Sequence, residues 1–332
     1  MAAQTLGIAN DANDPRHLVL DDAAGAVRKV RRLSPMGFRR IGFDGGGGGF
    51  GQMPAKILHL VRRFDPAAPL LGRLGDLEVR LARNAAEVKA AQQLRYRVFY
   101  EEMNAQPSKL QKMTRRDRDS FDRYCDHLLV IDHARGGPIL SRIVGTYRLM
   151  RGERAMLAGS FYTAQEFDIA PMLARHSGKR FLELGRSCVL KAYRGKRTVE
   201  LLWQGIWAYV IAHDVDVLFG CASLAGTDPA TLAAPLGFLQ ANAAAPEEWR
   251  VRALAHRGTF FDDAPADLDP RKALAVLPPL LKGYLRLGGY VGVGAVVDHQ
   301  FGTTDVLIVL PRDRINPRYV GHYGADASRF AA

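Results

Sequence analysis

A glutamate and an arginine stand inside an otherwise apolar run, FLELGRSCV (181–189), which leads into the basic turn Tyr193-Arg194-Gly195-Lys196-Arg197. A buried strand ordinarily carries no charge, so Glu183 and Arg186 mark a place where chemistry is expected. Beyond the turn, Thr198 to His213 has helical periodicity. A helix start exposes unpaired N–H donors and partial positive charge, and with the cations of the turn it forms a cradle for a phosphate. Strict strand alternation would put Glu183 and Arg186, three apart, on opposite faces. A bulge between them would bring them together and expose a strand amide.

Three more placements suggest the partners of this pair. Arg95 and Phe99 lie four apart on one helical face, Asp122 and Asp126 precede a strand in FDRYCDH, and Arg148 sits inside the strand VGTYRLM. The carboxylates can bind a cationic amine and accept its proton. The basic turn can hold a phosphorylated carrier arm, and a strand amide can stabilise an oxyanion: together these are the means of acylating an amine from a thioester. The competing reading is structural, with Arg148 paired to Glu183 and Arg95 to Asp122 as buried ion pairs. Cys188 reads as a core thiol, and His127 and His299 as structural hydrogen-bonding groups. Trp203, Trp207 and Tyr209 fall at helical spacing and read as core or as lining for an acyl chain.

These residues need elements to hold them. The pattern predicts a strand at 77–82, a helix from about 84 to 102 opened by Asn84 with Glu87 at capping-box spacing, and a basic loop. Strands at 127–132 and 143–150 follow, joined through the Gly136-Gly137-Pro138 turn, then a helix near 163–174. After the 181–189 strand and its helix come a strand at 217–223, helices near 228–236 and 278–287, and strands at 290–297 and 305–310. A hairpin followed by alternating strands and helices indicates an α/β fold, a mixed central sheet packed by helices on both faces.

The chain has 332 residues, 48% of them hydrophobic and 24% charged, enough to bury a sizeable core. Apolar runs are too short for a spanning helix, and acidic residues occupy the first thirty positions where a signal core would lie, so a cytoplasmic location is expected. Three widely spaced cysteines with no paired motif point to free thiols, and no metal site is expected. Residues 1–75, with the run Gly45 to Gly49, read as a mostly disordered basic extension. Within it AKILHLVRRF (55–64) has an amphipathic pattern suited to a membrane surface or to packing on the following domain. The catalytic domain is expected over 76–312, with a tail at 313–332.

The net charge of +12 calls for an anionic partner. Nucleic acid is one class, but the basic residues are dispersed and match no recognition motif, so none is expected. An acidic protein is the alternative, with Lys109, Lys112, Arg115, Arg116, Arg194, Lys196 and Arg197 as docking candidates.

The strand, basic R-G-x-R turn and helix resemble the acyl-donor motif of the GNAT acyltransferase superfamily, with Arg197 where a second small residue is usual. The segments LRYRVFYEEM (94–103), FDRYCDHLLVID (121–132), VGTYRLMR (144–151), FLELGRSCV and residues 279–311 widen the match. Over roughly 77–312 the chain is similar to the ornithine N-acyltransferases of bacterial ornithine-lipid synthesis, and more distantly to the acyl-homoserine-lactone synthases.

The resemblance implies transfer of a 3-hydroxyacyl chain from acyl carrier protein to the α-amine of L-ornithine. No cofactor is implied beyond the carrier's phosphopantetheine, which enters as co-substrate, and peripheral membrane contact at the inner membrane is expected. It implies Glu183, Arg186 and Arg148 as catalytic, with Glu183 as base or water-positioning group, and Arg95, Phe99, Asp122 and Asp126 on the acceptor. Val189, Tyr193, Arg194, Gly195, Lys196 and Arg197 would lie on the donor. The related pattern spaces its two aspartates three apart, whereas Asp122 and Asp126 are four apart. Acyl-homoserine-lactone synthesis, or acylation of another amine, is the alternative activity.

Overall fold

The computed structural model describes residues 64–228, 230–260 and 269–315. Two antiparallel strands, β1 (Leu70–Leu74) and β2 (Leu77–Leu81), turn at Gly75 and feed helix α1 (Ala85–Tyr96). The ordered sheet therefore begins inside the segment that composition alone assigns to the extension. Of the amphipathic stretch 55–64 only Phe64 is described, and it packs against a core cluster under α1.

The Asn84 side chain caps α1 by accepting from the Glu87 amide. Glu87 does not close the capping box. Its carboxylate takes a two-pronged hydrogen bond from Arg80 at 2.8 Å, which ties the helix start to β2. The α-helix ends at Tyr96 and Arg97–Glu102 continues as a π-helix, where one uninterrupted helix is expected from the sequence.

The other main strands are β3 (Asp126–Asp132), β4 (Ile143–Arg151), β5 (Phe181–Val189), β6 (Val217–Ala225), β7 (Ala295–Asp298) and β8 (Thr303–Pro311). With Gly258–Thr259 on the outer edge and Tyr290–Val291 beside β8 they form a ten-stranded sheet in the order β1-β2-β3-β4-β5-β6-β8-β7. All pairs among these main strands are antiparallel except β5 with β6, which run parallel.

Helix α2 (Lys196–Ala212) lies across β1, β2 and β3 on one face, where Leu201, Ile206 and Val210 join Val79, Leu128 and Leu182 in the largest core cluster. Gly205 permits this approach: a Cβ there would come within 2.7 Å of Val79. On the opposite face α1 packs against β4, and two further clusters form around Leu94 and Ile131 and around Met150 and Phe219.

Two further expected elements are broken. The helix foreseen near 163–174 is a 3-10 turn (Tyr162–Gln165), a two-residue strand and a short helix (Ala170–Arg175). The strand foreseen at 290–297 is interrupted between Tyr290–Val291 and β7, where Gly294 takes a positive φ of 83°. Among the described residues no helix is long and apolar enough to cross a membrane.

Candidate active site

The site forms where β5 meets its two neighbours. Against β4 the register steps between Thr146 with Cys188 and Arg148 with Gly185, so Arg186 and Ser187 together oppose Tyr147. Arg186 occupies the left-handed region at φ 53°, as the extra residue of a bulge can. The bulge removes the alternation problem and brings Arg186 beside Arg148. Both guanidiniums lie over the Tyr162 ring, at 4.8 and 5.5 Å, and both approach the Asp119 carboxylate.

Against β6 the pairing covers Phe181 to Glu183 with Val217 to Phe219. At Gly220 a side chain would collide with the Leu184 carbonyl, so the strands still touch there, and beyond it no ladder pairing joins them. From Gly185 to Val189, β5 is paired to β4 alone. A strand edge left open in this way presents unpaired amides, which is what an extended carrier arm or a thioester carbonyl can use.

The charged groups sort into two layers. Arg95 is fully buried and binds Asp122 with two nitrogens at 2.9 Å, while its Nε lies 2.8 Å from Asp117. Its guanidinium is spent on these two carboxylates, the arrangement of the ion-pair reading. Arg148 pairs with Asp119 at 2.6 Å and Asp122 at 3.4 Å, whereas the alternative of a pair with Glu183 is not found. Burial acts to raise the carboxyls of Asp122 and Asp119, but the guanidiniums of Arg95 and Arg148 outweigh it and hold both below the ordinary aspartate range.

The structure places Asp126 apart from this group. It sits on the opposite face of the sheet, where it accepts a hydrogen bond from Tyr209 of α2 at 2.6 Å and faces Arg151. Strand alternation places it there, since it opposes Leu149, a residue of the α2 cluster. The aspartate that joins Asp122 is Asp119, three residues earlier. The signal was present in RRDRDSFD, where carboxylates at 117, 119 and 122 interrupt a run of arginines.

Glu183 is buried, and its two oxygens accept the amides of Tyr162 at 3.1 Å and Thr163 at 2.6 Å. Burial raises its carboxyl, only partly offset by those hydrogen bonds. Phe99 reaches the site at one remove, stacked edge-on against Phe301, whose face receives Arg186 at 4.7 Å. Tyr162 and Phe301 come from segments with no charged pattern, and sequence reading misses both.

Carboxylates from three separate elements form a neighbouring group: Glu166 after the 3-10 turn, Asp298 on β7 and Asp305 on β8, with oxygens within 4.8 Å of one another. Burial pushes Glu166 up to about 7, with the Asp305 charge adding to it, and pushes Asp305 up to about 6. Cys221 of β6 donates its thiol to Glu166 at 3.3 Å. Cys188 is a buried thiol raised well above its ordinary range by burial, in keeping with a core role, and buried His127 lies against the Asp122 carbonyl at 3.2 Å. Trp203 and Tyr209 contribute to the α2 packing, Trp203 edge-on to Tyr284.

On the donor side Val189 ends β5, a 3-10 turn (Lys191–Tyr193) follows, and Gly195 precedes α2 in an extended conformation with no side-chain cap. A cavity of about 460 Å³ opens there, lined by Arg97, Glu102, Arg135, Leu190, Lys191, Ala192 and Tyr193. Arg194 is held by the Val189 carbonyl and Glu102, and Arg197 leans toward the Leu74 carbonyl. Lys196 stays exposed beside Glu200. The uncapped amides of the helix start and the cations of the cavity wall suit an anionic group.

Residues 94–204, which hold both the carboxylate layer and this turn, match the family described as acetyltransferase (GNAT) domain. The chain is 55% identical over 268 residues to the L-ornithine N(alpha)-acyltransferase of Rhizobium meliloti (strain 1021), covering 80% of this chain and 90% of that one. It is 53% identical over 264 residues to the L-ornithine N(alpha)-acyltransferase of Brucella abortus (strain 2308), covering 79% and 94%. The chain belongs to the L-ornithine N(alpha)-acyltransferase family.

Among solved structures it is similar to an N-acyl amino acid synthase from uncultured soil microbes (TM-score 0.40, 12% identity, 71% of this chain and 90% of that one). It is also similar to a CoA-dependent acyl-homoserine lactone synthase (TM-score 0.38, 14% identity, 72% and 82%). As a member of the ornithine acyltransferase family the chain is an N-acyltransferase with a mixed α/β fold, and the groups around Arg148, Arg186 and the parted β5 edge are its candidate active site.

Proposed function

We propose that the protein transfers a 3-hydroxyacyl chain from acyl carrier protein to the α-amine of L-ornithine, giving a lyso-ornithine lipid. The observation that carries this reading is the 55% identity, over 90% of its length, to a relative named for that acceptor. The geometry supports it at both ends of the reaction. A dibasic amino acid needs anionic surroundings, and Asp119, Glu166, Asp298 and Asp305 supply them around the parted strands. Its α-carboxylate needs a cation, and Arg186 presents one between two aromatic rings.

On the donor side, phosphopantetheine would lie along the open edge of β5 from Val189, with its phosphate at the Tyr193–Arg197 turn, and the unpaired strand amides would receive the thioester oxygen. An acidic carrier would be steered by the excess of basic residues. Lys109 and Lys112, exposed on the short helix Lys109–Thr114, remain open to it, whereas Arg116 is tied to Gln92 and Arg115 to Glu101. Leu110 and Met113 stand exposed on the same helix, and a lipid product is released most easily where such a surface meets a bilayer.

The test is thiol release from 3-hydroxyacyl carrier protein by the purified protein, with L-ornithine, other amines or S-adenosylmethionine added in turn. Release with ornithine supports the reading. Release with S-adenosylmethionine alone would replace it with lactone synthesis.

A further inference from the structure

Glu183 and Glu166 stand at the two ends of one short turn, and their surroundings divide the work between them. Glu183 spends both oxygens on the amides of Tyr162 and Thr163, which begin the turn. That fixes the turn to β5 and sets Glu166, which follows it, over β6 beside Cys221, on the far side of the point where β5 and β6 part. The Glu166 backbone is held as well, its amide donating to the Thr163 carbonyl at 3.0 Å and its carbonyl accepting from Leu254 at 2.9 Å. Its carboxyl is buried, and among the described residues the weak thiol donor of Cys221 is its hydrogen-bond partner. A buried carboxyl without a guanidinium or an amide on it, at the edge of a gap that a thioester would occupy, is chemically idle unless a substrate meets it.

We propose that Glu166 is the proton acceptor of the reaction, and that Glu183 positions it by clamping the turn. This deepens the reading above and rests on it for the acceptor. The α-ammonium of the amino acid gives a proton to the Glu166 carboxylate. The freed lone pair attacks the thioester carbon, the N–C bond forms and the carbonyl electrons move to oxygen. Their return breaks the C–S bond, and the thiolate leaves with the second nitrogen proton. The products are an amide, a thiol and protonated Glu166, which returns its proton to solvent.

The groups facing Glu166 tune it. Asp305 on β8 and Asp298 on β7 raise its affinity for a proton, and Tyr162 lies close by. Arg257, whose guanidinium is held by the Gln165 carbonyl, lowers it together with the Cys221 hydrogen bond. The balance leaves Glu166 titrating near neutrality, where a general base works best.

The experiment is the pH dependence of kcat, measured by thiol release at saturating donor and acceptor, for the wild type and for Glu166→Gln, Glu166→Asp, Asp305→Asn and Glu183→Gln. Glu166→Gln is expected to lose 100-fold or more in kcat and to lose the acid limb near pH 7, while Glu166→Asp restores part of both. Asp305→Asn is expected to move the limb to lower pH, whatever it does to the height of the profile, and Glu183→Gln to lower the rate with the limb in place.

Retention of the wild-type limb in Glu166→Gln, or an unmoved limb in Asp305→Asn, overturns the assignment. So does activity abolished by EDTA and restored by Mg²⁺, which would make the carboxylate group a metal site. Should Glu166→Gln fail to fold by circular dichroism, the Asp305→Asn limb decides alone. Wild-type silence with ornithine would sink the acceptor reading. The same variants assayed with whichever amine turns over would still decide the role of Glu166.

Discussion

Among single residues, the site is decided by which carboxylate each guanidinium reaches: Arg148 lies on Asp119 and Asp122, while Asp126 lies under Tyr209 of α2. Glu183, Arg186, Arg148, Arg95 and Asp122 stand out because a buried strand or helix face seldom carries an ion, and the fold does gather them. What spacing could not reveal is which carboxylates face which guanidiniums. Asp126 belongs to β3, where alternation carries it to the α2 face. Asp119 belongs to the loop before it, where no period applies. Their roles separate experimentally. Asp126→Asn removes a charged acceptor from Tyr209 and should cost roughly 1–2 kcal/mol of stability, leaving kcat within about two-fold. Asp119→Asn leaves Arg148 with Asp122 and Arg186 with Asp117 as their remaining counter-charges and should lower kcat/KM for the acceptor at least ten-fold, a ΔΔG‡ of about 1.4 kcal/mol or more. Urea denaturation and steady-state kinetics on the same two preparations check both, and equal kinetic losses would return Asp126 to the site.

At the scale of elements, the strands and α2 follow from apolar periodicity and end close to where the pattern ends. The deviations follow from features with no period. The bulge at Arg186 comes from one residue more in β5 than in β4 between fixed pairs. The parting of β5 from β6 depends on how the backbones meet at Leu184 and Gly220. Gly220→Ala tests that contact, because the added Cβ would strike a carbonyl oxygen of the backbone and not a yielding side chain. Overpacking of this kind costs roughly 1–3 kcal/mol. The strain should displace the open β5 edge, so KM for the acyl donor is expected to rise while KM for ornithine stays near its wild-type value. A melting temperature unchanged in the variant would show that the strands are already apart at Gly220.

At the scale of the whole molecule, the two layers of carboxylates set opposite pH dependences on one fold. Asp122, Asp119 and Glu87 are held below the ordinary range by their guanidiniums, against burial. Their stability is present above the unfolded carboxylate value of about 4 and is lost as pH falls below it. Glu166 and Asp305 are raised by burial to about 7 and about 6. They hold their protons more tightly folded than unfolded, so their contribution is complete below about pH 4 and is lost as pH rises through 6 to 7. Stability should therefore peak near pH 5 and decline toward pH 8, with Glu166 alone accounting for roughly 2–3 kcal/mol of the decline. Urea midpoints from pH 3 to 8 measure the curve, and Glu166→Gln should flatten its upper limb while leaving the acid limb intact. A flat wild-type profile between pH 5 and 8 would show that Glu166 ionises as freely in the fold as in the unfolded chain. On the predicted profile the protein would work at a pH where its own active site is being destabilised. That is the expected condition of a site that holds an unpaired buried carboxylate ready for a substrate cation.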